Sequence, residues 1–254
     1  MHTTLAEIFV SELFGTLILL LIGIGVVANE LLPGTKGRGT GWMLIGWGWG
    51  FAVFTGVLVA FKSGAHLNPA VTIGIAVSGA PEYVPGIPVD TASTATYLSA
   101  QAIGAAAGAL VAWLAYKPHY DLADSPRDIL MTFCTDPDVR RTPWNFFSEA
   151  LNTFVLVVVV LSVGPAGQAS GLVKVDLGLL GALGVALLVT GIVLGLGGTT
   201  GCSINPTRDL MPRLVHAVLP IANKGSSRWD YAWVPVIGPV VGGILAGLVA
   251  PMLF

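Results

Sequence analysis

The amino-acid sequence predicts an all-α membrane protein, with six transmembrane helices and two re-entrant half-helices arranged as an inverted repeat. Three observations predict this fold class. Only 10% of the 254 residues are charged and 54% are hydrophobic, whereas a soluble domain carries about 25% charged residues. Six apolar runs are long enough to span a bilayer, and two motifs recur at one spacing along the chain. An ordinary soluble enzyme is therefore excluded.

The six predicted spans are continuously apolar rather than alternating, which favours helices over a transmembrane β-barrel. They cover residues 6–28, 42–61, 93–116, 145–163, 177–198 and 231–253. The first has no basic residue before it, unlike a cleaved signal peptide, and is predicted to be retained. Two shorter apolar segments, near 66–79 and 203–219, are predicted to be half-helices. Gly, Pro and charged residues mark the predicted connections, at residues 30–40, 117–142, 164–176 and 222–230.

An internal repeat divides the chain into two homologous halves. Asn68-Pro69-Ala70 returns as Asn205-Pro206-Thr207, and Glu12 returns as Glu149, both after 137 residues (205 − 68 and 149 − 12). Three spans per half force the halves to insert in opposite orientations, and inverted repeats place their functional site near the bilayer midplane. We therefore predict a single channel domain over residues 1–254, with halves at about 1–125 and 126–254.

Each Asn-Pro pair is a helix-start signal, with Asn as the N-cap and Pro in the first turn. In inverted halves the two half-helices meet N-terminus to N-terminus, so that the positive ends of their dipoles face each other. The non-helical residues before them are expected to offer backbone carbonyls to a shared path. These residues are Gly64, Ala65, His66, Thr200, Gly201 and Ser203.

This combination predicts a pore for neutral, hydrogen-bonding molecules. Carbonyl oxygens accept hydrogen bonds and the two Asn amides donate them, while the opposed dipoles disfavour cations and protons. No catalysis, cofactor or metal is expected, because two cysteines are too few for a zinc cluster. The 12 Lys and Arg residues are dispersed, which argues against nucleic-acid binding.

The two signature segments resemble the paired loops of the aquaporin family, the major intrinsic proteins. The resemblance rests on residues 63–72 and on Asn205-Pro206-Thr207-Arg208-Asp209, and it covers nearly the whole chain. It implies a right-handed six-helix bundle in the cell membrane, assembled as a homotetramer with one pore per subunit. It also implies structural support from residues around the pore, namely Glu12, Glu149, Gln101, Asp209 and Arg213.

The resemblance is closest to the glycerol-conducting members of the family. Asp209, Arg213, Pro235 and Val236 stand at four places that those members typically fill with the same residue types. Glycerol, water and other small neutral solutes are therefore the expected permeants. A water-selective channel with an unusual filter is the alternative. An inverted repeat also suits a coupled secondary transporter, which would need intramembrane acids such as Glu12 and Glu149.

The resemblance places Arg208 at the narrowest constriction, where it would bind solute and repel cations. The other expected members of this selectivity filter are Trp49, Val193 and Cys202, with Trp47 as the alternative aromatic residue. Val193 stands where water channels have His and glycerol channels usually have Gly.

The family also places both termini in the cytoplasm. Counting charges predicts the opposite orientation, because the loops that would then lie outside hold eight Lys and Arg residues.

Overall fold

The computed structural model describes residues 3–169 and 178–254, which form ten helices and one short hairpin. The helices are α1 Leu5–Leu31, α2 Trp42–Val59, α3 Pro69–Val77, α4 Thr91–Ala115, α5 Lys117–Asp121, α6 Pro126–Phe133, α7 Thr142–Ala169, α8 Gly178–Gly195, α9 Pro206–Val218 and α10 Trp233–Leu253. The hairpin pairs β1 (Glu82–Val84) with β2 (Ile87–Pro88) in antiparallel fashion.

Six of these helices are the long apolar ones. By length and composition, α1, α2, α4, α7 and α10 can each cross a membrane. The sixth, α8, has an apolar stretch of 17 residues, Leu179–Gly195. The two half-helices, α3 and α9, have 9 and 13 residues and lie where the sequence predicts them. The protein is a multi-pass membrane protein with the predicted fold class.

The sequence-based connections need two corrections. Gly164 and Pro165 predict the end of a span, yet α7 continues to Ala169, because one proline removes only a single helical hydrogen bond. Residues 170–177, the rest of that predicted connection, lie outside the described residues. The long connection at 117–142 contains α5 and α6. Ser125 caps α6 by accepting a hydrogen bond from the backbone N–H of Asp128 at 3.2 Å.

The repeat is visible in how the helices pack. Helix α1 packs against α2 and α4, and α7 packs against α8 and α10, while α2 and α8 meet between the halves. The half-helices are exchanged: α3 packs against α10, and α9 packs against α4. Each half-helix is therefore seated on a long helix of the other half.

Glycine allows the closest helix crossings. A Cβ atom at Gly104 of α4 would lie 2.4 Å from the Leu13 carbonyl oxygen of α1, and one at Gly242 of α10 would lie 2.2 Å from that of Ala150 in α7. Small residues permit such backbone contact between membrane helices. These crossings fix α1 and α7, the two helices that carry the buried glutamates.

Candidate functional site

The backbone ahead of each half-helix is strained, and the strain repeats between the halves. Three residues in each segment have positive φ, between 46° and 90°: Gly64, Ala65 and Leu67, and then Gly201, Cys202 and Ile204. Positive φ costs a non-glycine residue on the order of 1–3 kcal/mol, and a β-branched residue such as Ile204 rarely adopts it. Strain of this kind persists only where surrounding contacts hold it.

Two fully buried glutamates supply those contacts. Glu12 accepts hydrogen bonds from the backbone N–H groups of His66 and Leu67, at 2.9 and 2.7 Å. Glu149 accepts from those of Ser203 and Ile204, both at 3.0 Å. The N–H and C=O groups of a planar trans peptide point in opposite directions. The carbonyls of these four peptides therefore point away from the glutamates. They belong to Ala65, His66, Cys202 and Ser203, which all line one large cavity.

The predicted carbonyl residues divide between two cavities. Gly64, together with Ala65, His66 and Ser203, lines the large cavity, whereas Thr200 and Gly201 line a smaller one. Cys202, which is predicted as a filter residue, also offers its carbonyl to the large cavity. The peptide geometry directs it there because the neighbouring Ser203 N–H donates to Glu149.

The N-caps of the two half-helices are cross-linked reciprocally. Asn68 Nδ2 donates to the carbonyl of Ile204, and Asn205 Nδ2 donates to that of Leu67, both at 2.8 Å. Each Asn Oδ1 caps its own helix by accepting from N–H groups of the first turn. An Asn amide has two N–H donors, so each side chain keeps a second hydrogen for a molecule passing between the half-helices.

Two cavities share part of their lining beside these N-caps. The large cavity has a volume of about 940 Å³ and the small cavity one of about 380 Å³. Trp49 and Arg208 line both of them. The Arg208 Cζ atom lies 4.2 Å from the centre of the Trp49 ring, within range of a cation–π interaction. These two side chains therefore lie in contact where the two cavities adjoin.

The structure separates the two candidate tryptophans. Trp47 is 40% exposed and stacks on Phe51, and it is not among the described residues that line either cavity. Val193 and Cys202 line the large cavity together with Trp49 and Arg208. All four residues predicted for the filter therefore border the same space.

Near Arg208, a buried ion pair within α9 is hydrogen-bonded to the segment that follows α6. Arg213 Nε donates to Asp209 Oδ1 at 2.8 Å, and both side chains are fully buried. The N–H and hydroxyl of Thr135 both donate to Asp209 Oδ2 at 2.7 Å, and Arg213 also donates to the Thr135 carbonyl at 2.8 Å. Arg208 Nη1 donates to the carbonyl of Phe133 at 3.4 Å.

Sequence reasoning missed Phe133 and Thr135 because they lie in what was predicted to be a polar connection. The Ser-Pro-x-Asp start of α6 was a signal that this connection contains a helix. Cys134, which lies between Phe133 and Thr135, lines the small cavity. Burial raises the pKa of the Cys134 thiol.

We call the backbone that precedes each half-helix its pore segment: residues 63–68 before α3 and residues 200–205 before α9. In the first half, side chains of α4 hold the pore segment in place. Gln101 Nε2 donates to Glu12 at 2.8 Å and to Thr72 at 3.2 Å, and the hydroxyl of Tyr97 donates to the Ser63 carbonyl. The His66 ring stacks on Tyr97 and contacts Thr72 Oγ1 through Nδ1 at 3.0 Å.

In residues 3–169 and 178–254, no group of three or more His, Cys, Asp or Glu residues is placed to bind a metal ion.

Comparison with known proteins decides the family. The family model described as "Major intrinsic protein" matches residues 1–250. The chain belongs to this family. It is 48% identical to the glycerol uptake facilitator protein of Streptococcus pneumoniae over 233 residues, which cover 91% of this chain and 92% of that protein. It is 46% identical to glycerol uptake facilitator protein 3 of Lactiplantibacillus plantarum over 239 residues, with coverages of 94% and 93%.

A solved structure of the same family shows a similar arrangement. The X-ray structure of the aquaglyceroporin from Plasmodium falciparum matches with a TM-score of 0.79 and 27% sequence identity. The match covers 98% of this chain and 99% of that one. This major intrinsic protein therefore shares the aquaporin-like fold over nearly its whole length.

Proposed function

We propose that this protein is a passive channel for glycerol, water and other small neutral solutes. The observation that carries the proposal is that Trp49 and Arg208, which lie in contact, line both cavities. One wall is apolar, formed by the Trp49 indole and Val193, and the other presents guanidinium donors. A polyol has carbons on one side and hydroxyls on the other, and this pair of walls suits both. The names of the similar proteins support glycerol as the permeant.

Permeation requires no catalysis, cofactor or metal. Arg208 donates hydrogen bonds to the hydroxyls of the solute while its carbons slide along Trp49 and Val193. Near the midpoint, Asn68 and Asn205 donate their free amide hydrogens, and the carbonyls of the two strained segments accept hydrogen bonds in turn. The solute exchanges one set of partners for the next, so that no buried hydroxyl is left unpaired.

Exclusion of cations follows from the same elements. The N-termini of α3 and α9 each contribute roughly half a positive elementary charge, and both face the midpoint. Arg208 adds a full positive charge at the constriction. These charges raise the energy of a cation or proton in the path, whereas a neutral solute is unaffected.

Stopped-flow light scattering on proteoliposomes tests the proposal. Reconstituted protein should accelerate both glycerol and water flux over empty liposomes, without saturation or dependence on ion gradients. Trp49→Ala should change the ratio of glycerol to water permeability, whereas Trp47→Ala should leave it as in the wild type. Fast water flux without glycerol flux would instead establish a water-selective channel, in which Val193 narrows the filter. Saturable, ion-dependent flux would indicate a coupled transporter.

We also infer a homotetramer with cytoplasmic termini in the cell membrane. Both cavities and the constriction are formed by one chain, so each subunit would hold a complete pore. Both native cysteines are buried, so a cysteine introduced at the exposed Asp124 is a suitable probe. Asp124→Cys should react with an impermeant maleimide in intact cells; reaction only after lysis would reverse the orientation. Cross-linking in membranes should yield a tetramer, and a pattern that stops at dimers would contradict the assembly.

A further inference from the structure

The two halves fasten their pore segments to the neighbouring long helix in different ways. The close crossings at Gly104 and Gly242 align α4 with α10 at an offset of 138 residues (242 − 104). At this offset Tyr97 corresponds to Pro235, and Gln101 corresponds to Pro239. In the first half, Tyr97 of α4 donates to the Ser63 carbonyl of the pore segment, and Gln101 of α4 donates to Glu12, which in turn accepts from that segment. A proline at either place in α10 has no side-chain donor to offer.

Pro239 also leaves an acceptor without its usual partner. It lies inside α10, where it is buried, and it has no N–H to donate to the carbonyl four residues earlier. That carbonyl belongs to Pro235, which is also buried. A buried carbonyl without a donor is costly, so native structures nearly always supply one.

The hydroxyl of Ser203 supplies that donor. Ser203 is fully buried, and its Oγ lies 2.9 Å from the Pro235 carbonyl oxygen. The same Oγ lies 3.1 Å from the carbonyl oxygen of Asn205, which already accepts from the N–H of Arg208 at 3.1 Å. A hydroxyl has one hydrogen to donate, and the Pro235 carbonyl is the acceptor whose helical donor is missing.

We propose that Ser203 is the positioning residue of the second pore segment, acting through the carbonyl that Pro239 leaves free. The direction of the link is reversed between the halves. In the first half the helix donates to the pore segment, and in the second half the pore segment donates to the helix. Ser203 is thus held on two sides, by Glu149 of α7 through its N–H and by α10 through its hydroxyl. Its carbonyl, which faces the large cavity, is fixed by both.

A mutant cycle between residues 203 and 239 tests the proposal. Ser203→Ala leaves the Pro235 carbonyl without a donor, and we expect glycerol permeability to fall about fivefold, with a smaller loss for water. Pro239→Ala restores a backbone N–H to that carbonyl. In the Pro239→Ala background, removing the Ser203 hydroxyl should therefore change glycerol permeability by less than about twofold. Equal losses in the two backgrounds would overturn the proposal.

Two control variants separate this link from general effects. Pro251→Ala removes the proline in the last turn of α10. Pro251 does not affect the hydrogen bonding of the Pro235 carbonyl. Ser203→Ala should cost as much in that background as in the wild type. Ser162→Ala removes a hydroxyl that donates to the Val159 carbonyl of the same helix, α7, and should leave the glycerol-to-water ratio unchanged. A change of the ratio in Ser162→Ala as large as in Ser203→Ala would contradict a specific role of Ser203.

An isosteric pair at residue 203 gives a second, independent arm. Ser203→Thr and Ser203→Val add similar volume, but only Thr keeps the hydroxyl. The Thr variant should retain a higher glycerol-to-water ratio than the Val variant, and equal ratios would count against the proposal. If Ser203→Ala does not fold alone but folds with Pro239→Ala, the link is supported. If neither Ser203→Ala nor the double variant Ser203→Ala/Pro239→Ala folds, the link is refuted.

The permeability readout rests on the proposed function, whereas thermal unfolding does not. Ser203→Ala should lower the melting temperature by about 3 °C in the wild type and by clearly less in Pro239→Ala. A wild type without glycerol flux would refute the proposed function and leave this thermal cycle as the test of the link. If Ser203→Ala lowers the melting temperature equally in the wild type and in Pro239→Ala, the link is refuted and the proposed function is unaffected.

Discussion

Replacing Gly23 by Ala tests whether the position of Trp49 sets the width of the constriction. Gly23 lies on α1 directly behind the Trp49 indole. A Cβ atom there would lie 2.2, 2.4 and 2.6 Å from Cζ3, Cη2 and Cε3 of that ring. Carbon atoms in contact are about 3.5–4.0 Å apart, so the rigid indole must move by more than about 1 Å. It is displaced away from α1, towards Arg208 and the path of the solute.

We expect Gly23→Ala to lower glycerol permeability at least tenfold, which corresponds to about 1.4 kcal/mol in the barrier. Water, being smaller, should be less affected. Gly25→Ala is the matched control on the same helix, because its Cβ would lie at an ordinary 3.6 Å from Tyr116. Both substitutions raise helix propensity by about 1 kcal/mol, so this gain cancels in the comparison. Stopped-flow measurements on both variants decide the question. Wild-type glycerol flux in Gly23→Ala, or equal losses in the two variants, would refute the reasoning.

Four further substitutions probe the pore and its support. Asp209→Asn leaves the buried guanidinium of Arg213 without its carboxylate and should destabilise the protein by about 3–5 kcal/mol in thermal unfolding. Asp230→Asn is the control: it breaks an exposed ion pair, and its melting temperature should lie within about one degree of the wild-type value. Asn205→Asp removes the amide donor that cross-links the half-helices and should lower both fluxes; undiminished glycerol flux in liposomes would argue against the cross-link. Mercurial reagents should block the wild type, and Cys202→Ser should resist them; continued block would place the reactive thiol elsewhere.

The sequence predicts the framework of this protein well because its signals are local and repeated. Asn68 and Asn205 each cap a helix that is too short to span a bilayer, and the capping chemistry lies within three residues. The 137-residue offset then relates the two sites without any structural information. The same offset relates Glu12 to Glu149, the family resemblance implied that they are supports, and the structure shows the hydrogen bonds they accept.

The parts that sequence could not supply depend on contacts between distant residues. Nothing near Thr135 indicates that it meets Asp209, 74 residues away. The choice between Trp47 and Trp49 depends on the rotation of α2, which apolar residues on both faces leave undetermined. The link between Ser203 and Pro235 arises from a missing N–H, and its partner is known only once α9 and α10 are placed.

The exchange of half-helices has a consequence for how the protein is made. Helix α3 is synthesised early, but the helix on which it rests, α10, is the last of the described elements to emerge from the ribosome. Until then, α3 lacks the long helix against which it packs. A nascent chain halted before Trp233 would hold five of the six long helices and still have no closed pore. Correct placement of α3 is thus tied to the synthesis of α10.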